Sequence, residues 1–409
     1  MTCEVVVMNK RGIALAADSA VTLSDGDGNA SKVYYTAEKL FCLSPDLPVA
    51  IMTYGPADIM GVPWETVVKV YAQKLGGRRF DTLAEYAQDF LAFIEGADWL
   101  FPGETQTRWL QSLVYGFWKE CYVDELERML AEEEKTTPKG KLKKLAAIIA
   151  ADHEDWERYP DLACVSSDYG QRVREIFAEA LDEAEHDLLE ELALTPALQE
   201  ALRKTVEFAY QKEWFHPRDR SHVVIAGMGE AEPFPILLEY EVGTLAAGKL
   251  RYRKADETRV GEDSDGTVAP FGQREIIDSV IQGIHPRIYG QLMRAAARMP
   301  QDLEDYDDED EPEEIEERAK EFSQLAHEEV LRPYAKPLLS AVSALPRQDL
   351  AKMAESLVNL TAFFMRMSAD EEQTVSEPVD VALLSKGDGF IWVKHKDVRG
   401  LAYDRSICA

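Results

Sequence analysis

The sequence predicts an α+β fold in which antiparallel sheets are covered by helices. Strand-like runs fill about the first 55 residues, helical spacing follows, strands return in the middle of the chain, and a final hairpin follows more helices. A doubly wound parallel sheet would need strands and helices to alternate regularly, and they do not. The chain has 409 residues and is 46% hydrophobic, which is ample material for a large core.

Two β-hairpins are predicted at the start of the chain. Residues 4–8 and 13–17 are β-rich runs on either side of a polar turn at residues 9–12. Residues 39–43 and 49–54 form a second pair of runs around a turn that contains two prolines. The runs are almost continuously apolar, as expected for strands that are covered on both faces.

Helices are predicted next. Apolar residues recur at helical spacing over residues 62–75 and 83–94, and residues 105–214 are rich in helix formers and charge. After further strands, a helix is predicted at residues 273–298, and the chain closes with a hairpin at residues 379–394. We found no internal repeat.

This order predicts one core that is interrupted by a helical insertion. A run of acidic residues that includes Pro312 is typical of an exposed linker. The N-terminal part of the core is predicted at residues 1–104, the helical insertion at 105–214 and the continuation of the core at 215–300. The acidic linker is predicted at residues 301–317, and a helix with a C-terminal hairpin completes the core at 318–409.

The composition argues against several classes of function. A net charge of −30 repels nucleic acid and anionic membranes, so we expect neither as a partner. The chain shows no long apolar run and no secretory signal pattern, which makes a cytoplasmic location the expectation. The five cysteines are scattered and the seven histidines show no paired spacing, so we expect buried free thiols, no metal and no cofactor.

Four residues are predicted to meet at one end of the hairpins. In the first hairpin, paired residue numbers sum to about 21, which places Asp18 opposite Cys3, next to Thr2. In the second, Lys39 lies opposite the strand end that leads to Gly55. If the two hairpins are neighbours in one sheet, Thr2, Asp18, Lys39 and Gly55 gather at one edge.

These residue types form a coherent catalytic group. Removal of Met1 would give Thr2 a free α-amine, with a pKa of about 7.7–8.0, which can take the hydroxyl proton near neutral pH. A nearby Lys39 ammonium would lower the pKa values of the amine and the hydroxyl, and Asp18 would hold Lys39 in place. The backbone N–H of Gly55 could donate to the oxyanion of a tetrahedral intermediate.

The same residues carry a resemblance to a known family. The runs "TCEVVV", "GIALAADSAVT", "EKLFCL" and "VAIMTYGPAD" resemble the start of proteasome β-subunits and of HslV-type peptidases, which are N-terminal-nucleophile (Ntn) hydrolases. The resemblance implies a four-layer αββα sandwich, with Thr2 as nucleophile, Asp18 and Lys39 beside it, and Gly55 as the oxyanion glycine. It also implies a supporting serine, for which Ser376 is the candidate. The family's glycine-serine-glycine signature is absent, and "APFGQ" stands in its place.

Two hypotheses for the function follow. The first is a threonine hydrolase that cleaves a peptide or other small amide through an acyl-enzyme without a cofactor. The resemblance implies a homo-oligomer, because relatives form rings through their helices, but the sequence leaves open whether the helical block permits that contact. The second is a catalytically inactive chain with the same fold, whose helical insertion serves as an interaction or assembly platform. Loss of Met1 separates the two hypotheses, since the enzyme requires it.

Overall fold

The computed structural model describes residues 2–24, 30–34, 37–131, 137–261, 265–297, 312–367 and 378–396. The strands in this part of the chain are β1 (Cys3–Asn9), β2 (Gly12–Ala17), β3 (Val21–Ser24), β4 (Ala30–Tyr34), β5 (Leu40–Cys42), β6 (Val49–Tyr54), β7 (Asp58–Ile59), β8 (Val62–Pro63), β9 (Ser221–Gly227), β10 (Ile236–Ala246), β11 (Lys249–Arg259), β12 (Gly266–Gly272), β13 (Asp380–Ser385) and β14 (Gly389–Lys394).

The helices before β9 are α1 (Trp64–Leu75), α2 (Leu83–Glu95), α3 (Gly103–Trp118), α4 (Asp124–Ala131), α5 (Pro138–Trp156), α6 (Tyr169–Ile176), α7 (Ala178–Leu189) and α8 (Pro196–Gln211). Those after β12 are α9 (Glu275–Gln282), α10 (Pro286–Ala297), α11 (Pro312–Ala326), α12 (Arg332–Ala344) and α13 (Arg347–Met367). Short π-helical or 3₁₀ turns are Lys119–Val123, Glu190–Leu192 and His327–Leu331.

Two five-stranded antiparallel sheets form the centre of the fold. The first has the order β12-β1-β2-β13-β14 and the second the order β11-β10-β9-β6-β5. The observed mixture of helices and antiparallel sheets confirms the predicted α+β class. Among the described residues, no helix combines the length and the apolar character that crossing a membrane requires.

The register of the first hairpin agrees with the prediction, but the hairpins do not share a sheet. Glu4 lies opposite Ala17 and Asn9 opposite Gly12, so paired numbers sum to 21. The β1–β2 hairpin belongs to the first sheet and the β5–β6 hairpin to the second, so the condition of one shared sheet is not met. The physical reason is that strands with two apolar faces need a partner layer on each face, and here each hairpin's sheet covers the other.

Apolar side chains fill the space between the sheets. Val6 and Leu15 of the first sheet and Met52 and Val224 of the second belong to one buried cluster. A second cluster joins the other face of the second sheet to α1 and α2. A third joins the other face of the first sheet to α9, α12 and α13. Each sheet therefore packs against the other sheet on one face and against helices on the other.

The helical block α3–α8 has a core of its own. Trp118, Leu145 and Leu202 are buried in one cluster with side chains from the other helices of the block. The block reaches the second sheet through Tyr169, whose hydroxyl donates to the Ala246 carbonyl at 2.8 Å. Its status as an insertion stays a prediction.

The structure differs from the sequence predictions at the acidic segment, at one hairpin and at one cysteine. Of the expected acidic linker, residues 301–311 lie outside the described residues, and residues 312–317 belong to α11. The β3–β4 hairpin was not expected from the sequence. Of the cysteines, Cys3 is buried, but Cys121 is exposed, so the expectation of buried thiols fails there.

Candidate active site

Three of the four predicted residues meet where the two sheets face each other. Thr2 precedes β1, and Asp18 follows β2, where its N–H donates to the Cys3 carbonyl at 3.1 Å. Lys39 precedes β5 in the second sheet, where its carbonyl accepts from the Thr53 N–H at 3.0 Å. The pairing expected in each hairpin is therefore present, and the packing of the two sheets brings the ends together.

The side chains of these three residues contact one another directly. The Lys39 ammonium lies 2.7 Å from Asp18 Oδ1 and also donates to Thr2 Oγ1. Thr2 Oγ1 is 2.9 Å from Asp18 Oδ1. Asp18 is fully buried, and Thr2 and Lys39 are each 6% exposed. A hydroxyl, an ammonium and a carboxylate therefore meet in a nearly dry place, where electrostatic interactions are strong.

Backbone donors fix the position of the Asp18 carboxylate. Oδ1 accepts from the Cys3 N–H and Oδ2 from the Ala20 N–H, both at 3.0 Å. The Lys39 ammonium and both backbone N–H groups are donors, so the Asp18 carboxylate accepts all three of these hydrogen bonds. The fixed carboxylate in turn holds the Lys39 ammonium, which also contacts Thr2 Oγ1.

Glu4 is a fourth member of the site that the sequence analysis missed. It is fully buried and hydrogen-bonds to Thr2 Oγ1 through Oε1, while its Oε2 has no hydrogen-bond partner. Burial raises the pKa of Glu4 to about 8, against the opposing effect of the Lys39 ammonium 3.9 Å away. One signal was available: Glu4 is the one charged residue in the run of residues 2–8, and alternation places it on the same face as Thr2.

The main chain of Thr2 is held by the end of β12. The Gln273 N–H donates to the Thr2 carbonyl at 2.6 Å. Gly272 has φ 65°, and a Cβ at this position would lie 2.1 Å from the Thr2 carbonyl oxygen. Only glycine fits this approach. Both residues come from the "APFGQ" run, which stands where the resemblance implied a different signature.

Gly55 and Ser376 are not placed beside Thr2 by any described contact. Gly55 has φ 90°, and a Cβ there would lie 3.1 Å from the Arg220 carbonyl oxygen and near the His222 ring. Its role as an oxyanion donor stays a prediction. Ser376 lies outside the described residues.

A second buried ion pair supports the chain beside Asp18. The Lys396 ammonium is 3.0 Å from Asp380 Oδ2 and donates to Ser19 Oγ at 3.0 Å and to the Ala37 carbonyl. Ser19 in turn donates to the Pro378 carbonyl at 2.7 Å. The segments that carry Asp18 and Lys39 are thereby tied to the C-terminal hairpin.

Comparison with known proteins yields little. No family model matches the chain, and no curated protein matches it. Among solved structures, the chain is similar to the Anbu (Gly-1) mutant from Hyphomicrobium sp. strain MC1, at 10% identity and a TM-score of 0.29, over 97% of this chain and 86% of that one. It is also similar to Anbu (ancestral beta-subunit) from Yersinia bercovieri, at 11% identity and a TM-score of 0.27, over 96% and 86%.

These findings correct the family named from the sequence. No model of proteasome β-subunits or of HslV-type peptidases matches the chain, and the similar structures are Anbu proteins. The identification as a member of that family is therefore wrong. TM-scores this low carry no argument about function, so the function must rest on the contacts of Thr2, Asp18 and Lys39.

Proposed function

We propose that this protein is an amide hydrolase whose nucleophile is Thr2, made the N-terminal residue by removal of Met1. The observation that carries the proposal is the contact of Thr2 Oγ1 with both the Lys39 ammonium and the Asp18 carboxylate. A threonine hydroxyl is a poor nucleophile by itself, and it needs a base and a nearby positive charge.

Each group has a defined part in the reaction. The free α-amine of Thr2 takes the hydroxyl proton as Oγ1 attacks the substrate carbonyl, and then passes it to the leaving amine. The Lys39 ammonium stabilises the negative charge that develops on Oγ1, and Asp18 positions Lys39. Water then attacks the ester on Oγ1, which releases the acid and restores the Thr2 hydroxyl.

Several further features belong to the same proposal. The proposed substrate is a peptide or another small amide, because attack of Thr2 Oγ1 on either amide carbonyl gives the same kind of acyl-enzyme. A four-layer αββα core is supported by the cluster between the sheets and by the clusters that each sheet shares with helices. Gly55 as the oxyanion donor, a homo-oligomer and a cytoplasmic location also stay predictions.

The test is labelling and turnover in protein whose N-terminus is known. Intact mass of the purified full-length chain should show that Met1 is absent. A panel of peptides that carry a fluorescent amine as leaving group should be hydrolysed, and intact mass during turnover should show one acyl group on Thr2. Thr2→Ala should abolish both signals, and Thr2→Ser should retain a measurable rate.

A matched control separates chemistry from folding. Thr205 is also fully buried and hydrogen-bonded, but it lies in α8 of the helical block, so Thr205→Ala should keep the acyl-enzyme. Retention of Met1 in the host, or turnover that survives Thr2→Ala, would refute the proposal. A folded chain without Met1 that never acylates would instead favour the interaction platform.

A further inference from the structure

We propose that Glu4 is an additional catalytic acid of this site, which donates a hydrogen bond to Thr2 Oγ1 and gives that oxygen a proton when the acyl-enzyme is hydrolysed. The inference deepens the proposed function and rests on it. The residue is separate from the Thr2, Asp18 and Lys39 group derived from the sequence, and it touches the reacting oxygen itself.

Counting donors around Thr2 Oγ1 shows that one of the two carboxyl groups in contact with it must carry a proton. The hydroxyl has one proton to donate and can accept two hydrogen bonds. Lys39 is a donor only, so it occupies one accepting position. The hydroxyl proton can serve only one of the two carboxyl groups in contact, and the other must donate its own proton to Oγ1.

Glu4 is the carboxyl that carries this proton. Asp18 already accepts from two backbone N–H groups and from the Lys39 ammonium, so it is surrounded by donors. Glu4 lacks such support, because it is fully buried and its Oε2 has no partner. A buried carboxylate without donors is costly, and the neutral acid is favoured.

The charged and titratable groups around Glu4 agree with this assignment. Burial, the largest effect, and the Asp18 carboxylate at the end of β2 raise the pKa of Glu4. The Lys39 ammonium before β5, the contact with Thr2 and the charge of the N-terminal amine lower it, and the balance is a pKa of about 8. The Cys3 thiol on β1 and the Tyr54 phenol on β6 also interact with Glu4, and burial raises the pKa of each well above its usual value. Neither can take the proton from Glu4 at neutral pH.

The proton balance of the hydrolysis step is then complete. Water attacks the ester carbonyl and loses one proton to the α-amine of Thr2. The bond between the carbonyl carbon and Oγ1 breaks, and Oγ1 takes the proton that Glu4 has been donating. The resulting Glu4 carboxylate recovers a proton from the α-ammonium, so the enzyme returns to its initial state and the net reactant is one water.

Glu4→Gln separates the hydrogen bond from the proton. The amide keeps a donor of similar size for Oγ1, so acylation of Thr2 should proceed. It cannot release a proton, so hydrolysis of the acyl-enzyme should slow by about a hundredfold, and the acyl-enzyme should accumulate in intact-mass spectra during turnover. Glu185→Gln is the matched control, because Glu185 is a buried carboxylate in α7, and it should behave as wild type.

The pH dependence of acyl-enzyme hydrolysis distinguishes a Glu4 that donates a proton from a Glu4 with a purely structural role. Hydrolysis of the wild-type acyl-enzyme needs a neutral α-amine on Thr2 and a protonated Glu4, so its rate should rise as the amine loses its proton and fall again as the pH rises above about 8, where Glu4 loses its own. In Glu4→Gln the residual rate should lack this loss. An infrared difference spectrum, wild type minus Glu4→Gln, should show a carboxylic acid C=O band at about pH 6 that disappears by about pH 10.

The possible outcomes are distinct. A missing acid band at low pH, or a Glu4→Gln variant with the wild-type hydrolysis rate and pH profile, would overturn the role of Glu4 while Thr2 acylation continued. If the wild type forms no acyl-enzyme, the proposed function fails and the role of Glu4 fails with it. An acid band that titrates, together with accumulation of the acyl-enzyme in Glu4→Gln, supports the inference.

Discussion

Replacing Lys39 by alanine removes the ammonium that joins Thr2 Oγ1 to Asp18. Its Nζ is 2.7 Å from Asp18 Oδ1 and also contacts the threonine oxygen, and the side chain is almost excluded from solvent. Two unit charges about 4 Å apart interact by about 4 kcal/mol at the effective dielectric constant of a protein. Loss of one preorganised donor at a developing oxyanion costs about 3–4 kcal/mol. We therefore expect Lys39→Ala to lower kcat/KM by about a hundred- to a thousandfold.

The same substitution should also destabilise the fold. The sequence alone predicts little effect on stability, because Leu40 and Phe41 supply the burial of this strand. The structure changes that expectation, since Lys39→Ala leaves the fully buried Asp18 without its cation. Removing one partner of a buried ion pair costs about 3–5 kcal/mol. The sequence-based expectation overlooked that Lys39 itself is buried.

A double variant separates the two effects. In Asp18→Asn/Lys39→Met both charges are gone, so most of the lost stability should return, because apolar or neutral replacement of a buried pair is close to neutral. Activity should remain at the level of Lys39→Ala. Lys212→Ala is the control, since Lys212 directly follows α8 of the helical block and pairs with Asp161 at 2.8 Å.

The assay is hydrolysis of the peptide panel by wild type and the variants, with urea unfolding of each under the same conditions. A Lys39→Ala protein that hydrolyses the panel at the wild-type rate would refute the catalytic role of the ammonium. A double variant that recovers activity together with stability would show that the loss in Lys39→Ala came from misfolding alone.

Three other predictions follow from the packing and the charges. A Glu4 that is protonated in the folded state releases its proton on unfolding, so its contribution to the free energy of unfolding should fall by a few kcal/mol as the pH rises from about 4.5 to about 8; urea unfolding should show this as a difference in pH dependence between wild type and Glu4→Gln, because the other buried carboxyl groups titrate in both. Gly272→Ala should abolish activity and lower the melting temperature, since its Cβ would lie 2.1 Å from the Thr2 carbonyl oxygen; an active, stable variant would argue against this anchoring role. Leu202→Ala should cost about 2–5 kcal/mol in thermal or urea unfolding but leave kcat/KM of the folded protein unchanged, because Leu202 is buried in the core of the helical block; a lower kcat/KM would show that the block shapes the site.

Local pairing was predictable from the sequence. The short polar turn after β1 sets the register of the first hairpin, so Asp18 had to lie beside Cys3 and close to Thr2. The second hairpin likewise placed Lys39 opposite Thr53. Such contacts follow from the position of the turn and strand geometry alone, because once the turn sets one facing pair, the register of an antiparallel hairpin sets all the others.

Contacts between distant parts of the chain were decided by the tertiary structure. Apolar strands signal that both faces are covered, but they do not say by which layer, so the placement of the hairpins in opposite sheets could not be predicted. Glu4 was missed because the residues that follow it are apolar, although alternation places it on the face of Thr2. The approach of Lys39 from the second sheet completes the charged group around it. Gly272 and Gln273 meet Thr2 only because β12 pairs with β1. The sequence determines pairing within a hairpin, because turn geometry and side-chain alternation are local. The layer that covers a buried face is decided only by the tertiary structure, because it depends on packing over the whole chain.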